Sequence, residues 1–230
     1  MTETISKALT KEGFANVRSF EEITQRFVEI AKSLMCSHEL VYGERERVWR
    51  ITAAELYLNT ADGSAVWRDP YTHRNPAQLD SGTWYVHDDG RRAPFYSGID
   101  ITCGSVGVYG GLLIRELCSE HRWVFQRIVR GKNVNRERKD NTWTQDEKKL
   151  IGEAIHRQPI GSGLLKLVKI PWQDQQLFIG QRIGLKKKSD ADISNSEREL
   201  YRTASLRIAT SQTACLKTSM KPLPLSDAKL

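Results

Sequence analysis

Apolar residues recur at helical spacing in the first clear pattern of the chain, which begins near residue 19. Steps of three and four residues separate them, so they form one stripe that a helix would bury. Ser19 precedes the stripe and Glu22 follows three residues later, a capping box that predicts a helix start at Ser19. The stripe consists of Phe20, Ile23, Phe27, Ile30, Ala31 and Leu34. Residues 1–18 are mixed and polar, and we expect a flexible N-terminal arm there.

The pattern becomes strand-like between residues 40 and 58, where β-branched, aromatic and apolar residues concentrate. Further strands are predicted near 83–87, 98–103, 110–117, 165–170, 176–185 and 204–210. The stretch 59–82 is rich in Asp, Asn, Gly, Pro and Thr, which predicts a long loop, and such loops are usually functional or disordered. Thr144 with Glu147 forms a second capping box and predicts another helix.

Length and patterning fit one domain over residues 19–216, with a core of its own. Residues 217–230 contain two prolines among small residues, so we expect a disordered tail. No apolar run approaches the roughly 18 residues of a membrane span. No cysteine pair has Cys-x-x-Cys spacing, so free thiols in a reducing cytosol are expected. The cysteines are Cys36, Cys103, Cys118 and Cys215.

The chain carries a net charge of +7 and a pI of about 9.3. This charge favours a polyanionic partner, nucleic acid first, although it can also serve solubility alone. A basic segment, 121–139, interleaves cations with Trp123 and Phe125. Its cations would neutralise phosphates on a DNA-facing surface, or be solvated in an ordinary basic loop. The candidates for contact with the DNA backbone are Arg127, Arg130, Lys132, Arg136, Arg138 and Lys139.

One carboxylate lies in the middle of the predicted strand 50–58. Glu55 and Tyr57 are two residues apart, so a strand directs both side chains to the same face. An acid beside an aromatic ring suits chemistry on a flat substrate such as a nucleobase. From this segment alone, a solvated Glu on an edge strand is the alternative.

The segment 50–58, Arg-Ile-Thr-Ala-Ala-Glu-Leu-Tyr-Leu, resembles the catalytic segment of the alkyladenine (3-methyladenine) DNA glycosylase family. Three further segments, 69–74, 82–87 and 110–117, follow in the order of that family. Near the C-terminus, 181–185 and 205–208 are similar to two of its later strands. The resemblance extends over about residues 47–212. Each motif is short, and the resemblance depends on their occurring in the same order as in the family.

The resemblance implies an α+β fold, one domain with a curved, mostly antiparallel sheet and peripheral helices. It also implies a monofunctional DNA glycosylase, which flips a damaged or modified base and hydrolyses its N-glycosidic bond to leave an abasic site. No metal or organic cofactor is implied. The expected partner is double-stranded DNA, not a membrane. We expect a monomer inside the cell, in the bacterial cytoplasm or another intracellular compartment.

Four residues match the reaction machinery of the family. Glu55 would activate the attacking water, and its charge would stabilise an oxocarbenium-like transition state. Arg115 would help to position that water, or would equally be an ordinary ion-pairing arginine at a strand end. Tyr57 and His73 would hold the flipped base between flat side chains.

Two base-pocket positions depart from the family. His87 replaces a stacking tyrosine, and an imidazole can stack or donate a hydrogen bond. Asp100 replaces an asparagine; ionised Asp only accepts hydrogen bonds, so it would favour an exocyclic amine. The alternative for Asp100 is a turn residue at the end of a strand.

The family fills the gap left by the flipped base with a tyrosine, which is absent at the matching position here. The candidates for this role are Arg91, Arg92, Phe95 and Tyr96.

The resemblance leaves two alternatives for the target base. An alkylated purine would imply DNA repair, and a hypermodified cytosine in phage DNA would imply antiviral defence. A non-catalytic DNA-binding protein on the same fold is the alternative. A nuclease usually needs clustered carboxylates for Mg²⁺. The acids Asp69, Asp80, Asp88 and Asp89 lie in predicted loops without such spacing.

Overall fold

The long amphipathic helix forms where the apolar stripe predicts it. In the computed structural model, which describes Phe14, Val17, 19–44, 47–60, 67–87, 98–118, 152–182, Leu185, 194–210 and 220–223, helix α1 spans Phe20–Ser37. Ser19 is its N-cap, and its Oγ accepts a hydrogen bond from the backbone N–H of Glu22 at 3.1 Å. The predicted stripe is buried from Ile23 onwards, whereas Phe20 is half-buried and packs on Trp67 with 5.2 Å between ring centroids.

The strands form one open sheet, and every strand pair among the described residues is antiparallel. The strands are β1 (His38–Tyr42), β2 (Arg47–Thr60), β3 (Ser81–Val86), β4 (Ile99–Cys103), β5 (Val108–Cys118), β6 (Leu165–Lys169), β7 (Leu177–Gly180), β8 (Arg207–Thr210) and β9 (Lys221–Pro222). Their main order is β3-β4-β5-β2-β8-β7-β9, and β1 pairs with both β2 and β6. A second helix, α2, spans Asn195–Thr203. The expected α+β single domain with a mostly antiparallel sheet is confirmed.

The two faces of the central sheet differ in chemistry. Apolar residues at alternate positions of β2, β4, β5 and β8 join the stripe of α1 in one buried cluster. On β2 these are Ala54, Leu56 and Leu58, whereas Glu55 and Tyr57 point to the opposite face. Burial of the apolar face against α1 therefore fixes which residues lie on the polar face. A shift of β2 by one residue would move its apolar side chains to the polar face and Glu55 into the core.

The structure refines several boundaries. The strand-like stretch after residue 40 is a hairpin of β1 and β2, and the predicted strand 176–185 is limited to Leu177–Gly180. The predicted long loop contains a 3-10 helix at Pro76–Leu79. Helix α2 was missed by the sequence pattern. Within the predicted tail, Lys221–Pro222 pairs with β7.

Several expectations concern residues outside the described ranges. These are most of the N-terminal arm, the helix start at Thr144, the gap-filling candidates at 91–96 and the whole basic segment 121–139. Cys36 and Cys103 are buried free thiols, as expected. Within the described ranges, no helix has the length and apolar character needed to cross a membrane.

Candidate active site

A row of directly paired residues crosses five strands on the polar face of the sheet. The row consists of Tyr85, Asp100, Leu113, Glu55 and Arg207, in the order β3, β4, β5, β2 and β8. Opposite residues of antiparallel strands share a face. Because neighbouring strands lie about 4.8 Å apart, the backbone positions of Glu55 and Asp100 are about 10 Å apart, with β5 between them. The row therefore joins an acidic centre on β2 to an aromatic residue on β3, three strands away.

Glu55 is fully buried in the interior strand β2, so it is not a solvated residue on an edge strand. The hydroxyl of Tyr57 donates a hydrogen bond to Oε2 of Glu55 at 2.8 Å. Nε of Arg115 lies 3.1 Å from the same oxygen, and Nε of Arg207 lies 3.8 Å from Oε1. These neighbours all carry donors, which match the acceptor character of a carboxylate.

A local irregularity of β5 brings Arg115 and Glu116 to the same face of the sheet. In the register, Ala53 pairs with Glu116 and Ala54 with Ile114, so Arg115 is an extra residue on β5. Such a bulge places two successive side chains where regular pleating would separate them. Arg115 accordingly contacts Glu55, while Glu116 lies 3.6 Å from Nη2 of Arg207. Arg115 is thus an ion-pairing arginine whose partner is the candidate catalytic carboxylate.

Tyr57 is held as a neutral donor. Burial raises the pKa of Tyr57 well above its ordinary value, and the negative charge of Glu55 raises it further. Arg182 lies over the ring, with 4.6 Å between its guanidinium carbon and the ring centroid. The face of an aromatic ring attracts a cation, so this contact fixes the ring from one side.

Arg182 ties the loop before the 3-10 helix to the centre of the sheet. Its Nη1 donates to Oδ2 of Asp69 at 2.5 Å and to the carbonyl of Leu56 at 3.1 Å. Nη2 donates to the carbonyl of Tyr201 at 2.7 Å. Burial lowers the pKa of Arg182, but the charge of Asp69 outweighs it and the pKa is raised. Asp69 is therefore the partner of a buried arginine.

Three aromatic rings form the other end of the row. His73 and His87 have ring centroids 4.4 Å apart, and Tyr85 and His87 have theirs 4.7 Å apart. Nδ1 of His73 lies 3.4 Å from the hydroxyl of Tyr85. The structure thus brings the two predicted base-binding histidines into contact, with a tyrosine that the sequence pattern did not single out.

Asp100 holds His87 instead of ending a strand. It is only 1% exposed and lies within β4, so the turn alternative is wrong. Its Oδ1 lies 2.7 Å from Nε2 of His87, and its Oδ2 accepts a hydrogen bond from Nε2 of Gln78 at 3.2 Å. A Cβ at Gly111 would lie 2.3 Å from Oδ2, so the carboxylate needs glycine at this position of β5. Both oxygens of Asp100 have protein partners.

The six predicted site residues fall into two groups on one face. Glu55, Tyr57 and Arg115 form the acidic centre, and the other three belong to the aromatic one. The sequence interpretation missed Tyr85, Gln78, Arg182 and Arg207. A charged residue inside a short strand was an available signal for Arg207, whereas nothing in the sequence marked Gln78.

Comparisons with known proteins give no function. No family model matches the chain. The chain is similar to Uncharacterized protein L759 of Acanthamoeba polyphaga mimivirus, with 29% identity over 159 residues. The aligned part covers 61% of this chain and 70% of that protein.

Proposed function

We propose that this protein is a monofunctional DNA glycosylase in which Glu55 activates the water that hydrolyses the N-glycosidic bond of a flipped base. The observation that carries the proposal is the row on the polar face, with Glu55 and its donors at one end and the aromatic rings at the other. The motif resemblance to the alkyladenine DNA glycosylases supports the same reading.

The acidic centre suits the displacement of a base from C1′. A buried carboxylate can take a proton from water, and its negative charge favours positive charge developing on the sugar. A carboxylate accepts about four hydrogen bonds, so Glu55 can hold a water beside Tyr57 and Arg115. Tyr57 stays protonated, so it orients the carboxylate without competing for the proton of the water.

The aromatic centre suits a base that has left the duplex. Flat side chains stack on the face of a flipped base, and such stacking contributes about 1–3 kcal/mol per base in single-stranded complexes. His73, Tyr85 and His87 offer such surfaces at β3, three strands away from Glu55. We retain double-stranded DNA as the partner, in line with the net charge of +7. Alkylated purines and hypermodified cytosines both remain targets of this proposal.

The test is the release of free base from DNA by purified protein, followed by mass spectrometry. The substrates are alkylated DNA and phage DNA with modified cytosines. We expect Glu55→Gln to lower base release by at least about 10²–10⁴-fold, because the amide keeps the shape but cannot take the proton. DNA binding should stay within a few-fold. Glu39→Gln is the matched control, since Glu39 lies on β1, outside the row, and forms an ion pair with Arg50.

Each alternative gives a different result. Full activity of Glu55→Gln would end the proposed mechanism. Direct strand breaks without abasic sites would indicate a nuclease. DNA binding by the wild type without release of any base would indicate a non-catalytic DNA-binding protein.

A further inference from the structure

We propose that Arg207 holds the attacking water, between its guanidinium and the carboxylates of Glu55 and Glu116. This inference rests on the proposed function and adds a residue to its reaction machinery. It starts from the hydrogen-bond donors of Arg207, which lie in the interior of the protein. A buried arginine needs acceptors for its N–H groups, because a buried donor without an acceptor is destabilising.

The guanidinium of Arg207 is buried, and its neighbours are too distant for direct hydrogen bonds. Arg207 is 1% exposed, and none of its three guanidinium nitrogens forms a hydrogen bond with a residue that the structure describes. Its Nε lies 3.8 Å from Oε1 of Glu55, and its Nη2 lies 3.6 Å from Oε1 of Glu116. A direct N–H···O hydrogen bond has an N–O distance of about 2.7–3.2 Å. Buried polar groups at longer separations are paired through water.

The charges around these groups favour a neutral ligand. Glu55 and Glu116 would repel a phosphate or another anion, and Arg115 and Arg207 would repel a metal cation. Water is neutral, and it can accept a hydrogen bond from Arg207 while it donates to both carboxylates. Buried waters in proteins make about three hydrogen bonds to polar groups. The three side chains therefore match the requirements of a water site.

The position of this water matches the chemistry proposed for Glu55. Tyr57 and Arg115 contact Oε2 of Glu55, whereas Arg207 lies on the side of Oε1. Tyr57 and Arg115 therefore orient the carboxylate, and Arg207 orients the water beside its other oxygen. A water that donates to two carboxylates and accepts from Arg207 keeps one lone pair. That lone pair can attack C1′ while Glu55 takes a proton from the water.

The sheet limits the direction in which Arg207 finds acceptors. Arg207 on β8 pairs directly with Glu55 on β2, so the two side chains share the polar face. On the other side of β8, Arg207 pairs with Gly180 of β7. A Cβ at Gly180 would lie 2.8 Å from Cγ of Met220, so an apolar side chain fills that flank. The acceptors for Arg207 therefore lie toward β2 and toward Glu116 in the bulge of β5.

The proposed step balances. The bond between C1′ and the base nitrogen breaks, and its electron pair goes to the base. The oxygen of the water bonds to C1′, and one proton of the water moves to Glu55. A base made cationic by alkylation leaves as a neutral molecule, whereas a base that is neutral in DNA takes up a proton from solvent. Glu55 returns its proton to solvent, and Arg207 stays protonated throughout.

A crystal structure of the wild-type protein tests the water site independently of activity. We expect an ordered water within hydrogen-bond distance of Arg207, Glu55 and Glu116. Arg207→Met keeps a long side chain without donors, so its crystal structure should lack this water. Direct hydrogen bonds from the wild-type guanidinium to both carboxylates, with no water between them, would overturn the water site.

Competition between water and methanol tests the role of Arg207 in the reaction. Water leaves an abasic site and methanol leaves a methyl glycoside at C1′, and mass spectrometry of the DNA distinguishes the two. For Arg207→Met we expect single-turnover base release to fall by about 10²-fold, as for a reacting group displaced by about 1 Å. The share of methyl glycoside should rise about tenfold, because water loses a hydrogen bond from a charged donor that favours it over methanol. Arg207→Lys keeps a charged donor and should recover part of both properties.

Arg50→Met is the matched control, since Arg50 lies on β2 and forms an ion pair with Glu39, outside the row. It should leave base release and the ratio of products unchanged. A folded Arg207→Met protein with the wild-type rate, or with a lower rate and an unchanged ratio of products, would overturn the proposal. If Arg207→Met does not fold, Arg207→Lys is judged by the same two measurements. Release of no base by the wild type would instead refute the proposed function, and with it the attacking role of this water.

Discussion

Arg182 shows how one buried charge holds the site together at the scale of single residues. Its guanidinium contacts the loop through Asp69, β2 through Leu56, and α2 through Tyr201, and it lies on Tyr57. Removing one partner of a buried ion pair leaves a charge without compensation. This arginine lies in the sequence motif 181–185, which gave it no role, and its partner lies 113 residues earlier, so the pair could not be chosen from the pattern.

We expect Asp69→Asn to lower the free energy of unfolding by about 3–5 kcal/mol, because Arg182 would stay charged in the interior. The matched control is Glu199→Gln. Glu199 and Arg202 have the same N–O distance of 2.5 Å, but about half of each side chain is exposed. Water screens that pair, so its loss should have a far smaller effect. Urea denaturation measures both, and equal losses would show that burial does not decide the strength of the pair.

At the scale of elements, the alternation of β2 was readable from the sequence and its pairing was not. Glu55 and Tyr57 share a face because strands have a period of two, which the sequence establishes. The bulge at Arg115 depends on which residue of β5 meets Ala53, and that register follows from packing of the whole sheet. The motif resemblance matched Asp100 to a pocket position of the family. Its contact with His87 depends on the register of the strands, so the sequence could not predict it.

Gly111→Ala tests the close approach of β4 to β5. The added Cβ would lie 2.3 Å from Oδ2 of Asp100 and 2.8 Å from Nε2 of Gln78, so the carboxylate must move. We expect a loss of about 1–3 kcal/mol in the free energy of unfolding, as for other overpacked sites. Base release by the folded variant should fall as well, because Asp100 holds His87 of the aromatic centre.

Gly107→Ala is the control for the loss of glycine itself. Gly107 has a positive φ of 80°, but its added Cβ would meet nothing within 4 Å. It should lower stability and leave base release by the folded protein unchanged. An equal fall in base release by this variant would mean that general loosening of the sheet, instead of displacement of Asp100, lowers the activity.

At the scale of the whole molecule, fold class followed from the sequence and from motif order, whereas the shape of the site did not. Strand-like and helical periods are local properties, and most predicted elements are found near their expected positions. The order β3-β4-β5-β2-β8 brings together residues from 55 to 207, and such contacts between distant residues leave no local periodicity. Helix α2 was missed since only Tyr201 of its nine residues is buried.

DNA binding is the property of the whole molecule that the net charge of +7 predicts. If the segment 127–139 contacts phosphates, replacing Arg136, Arg138 and Lys139 with Ala should weaken binding to all sequences alike. Each lost contact should reduce the slope of log affinity against log salt by about one. Fluorescence anisotropy over a range of salt concentrations measures this slope.

The control removes the same charge elsewhere. Lys169, Arg202 and Lys221 are exposed, and their joint replacement with Ala lowers the net charge equally. We expect a smaller change of slope for this variant. Equal slopes for both triple variants would show that total charge, instead of the segment 127–139, determines the affinity for DNA.

The central position of β2 also has a consequence during protein synthesis. Its partner β8 carries Arg207, about 150 residues after Glu55 in the sequence. At roughly 5–20 residues per second, a ribosome would need on the order of 10–30 seconds to make that stretch. Until β8 joins, one edge of β2 lacks its strand partner, and Glu55 lacks one of its two arginines. The acidic centre is therefore completed late in translation, after His87 and the strand that carries Asp100 have emerged.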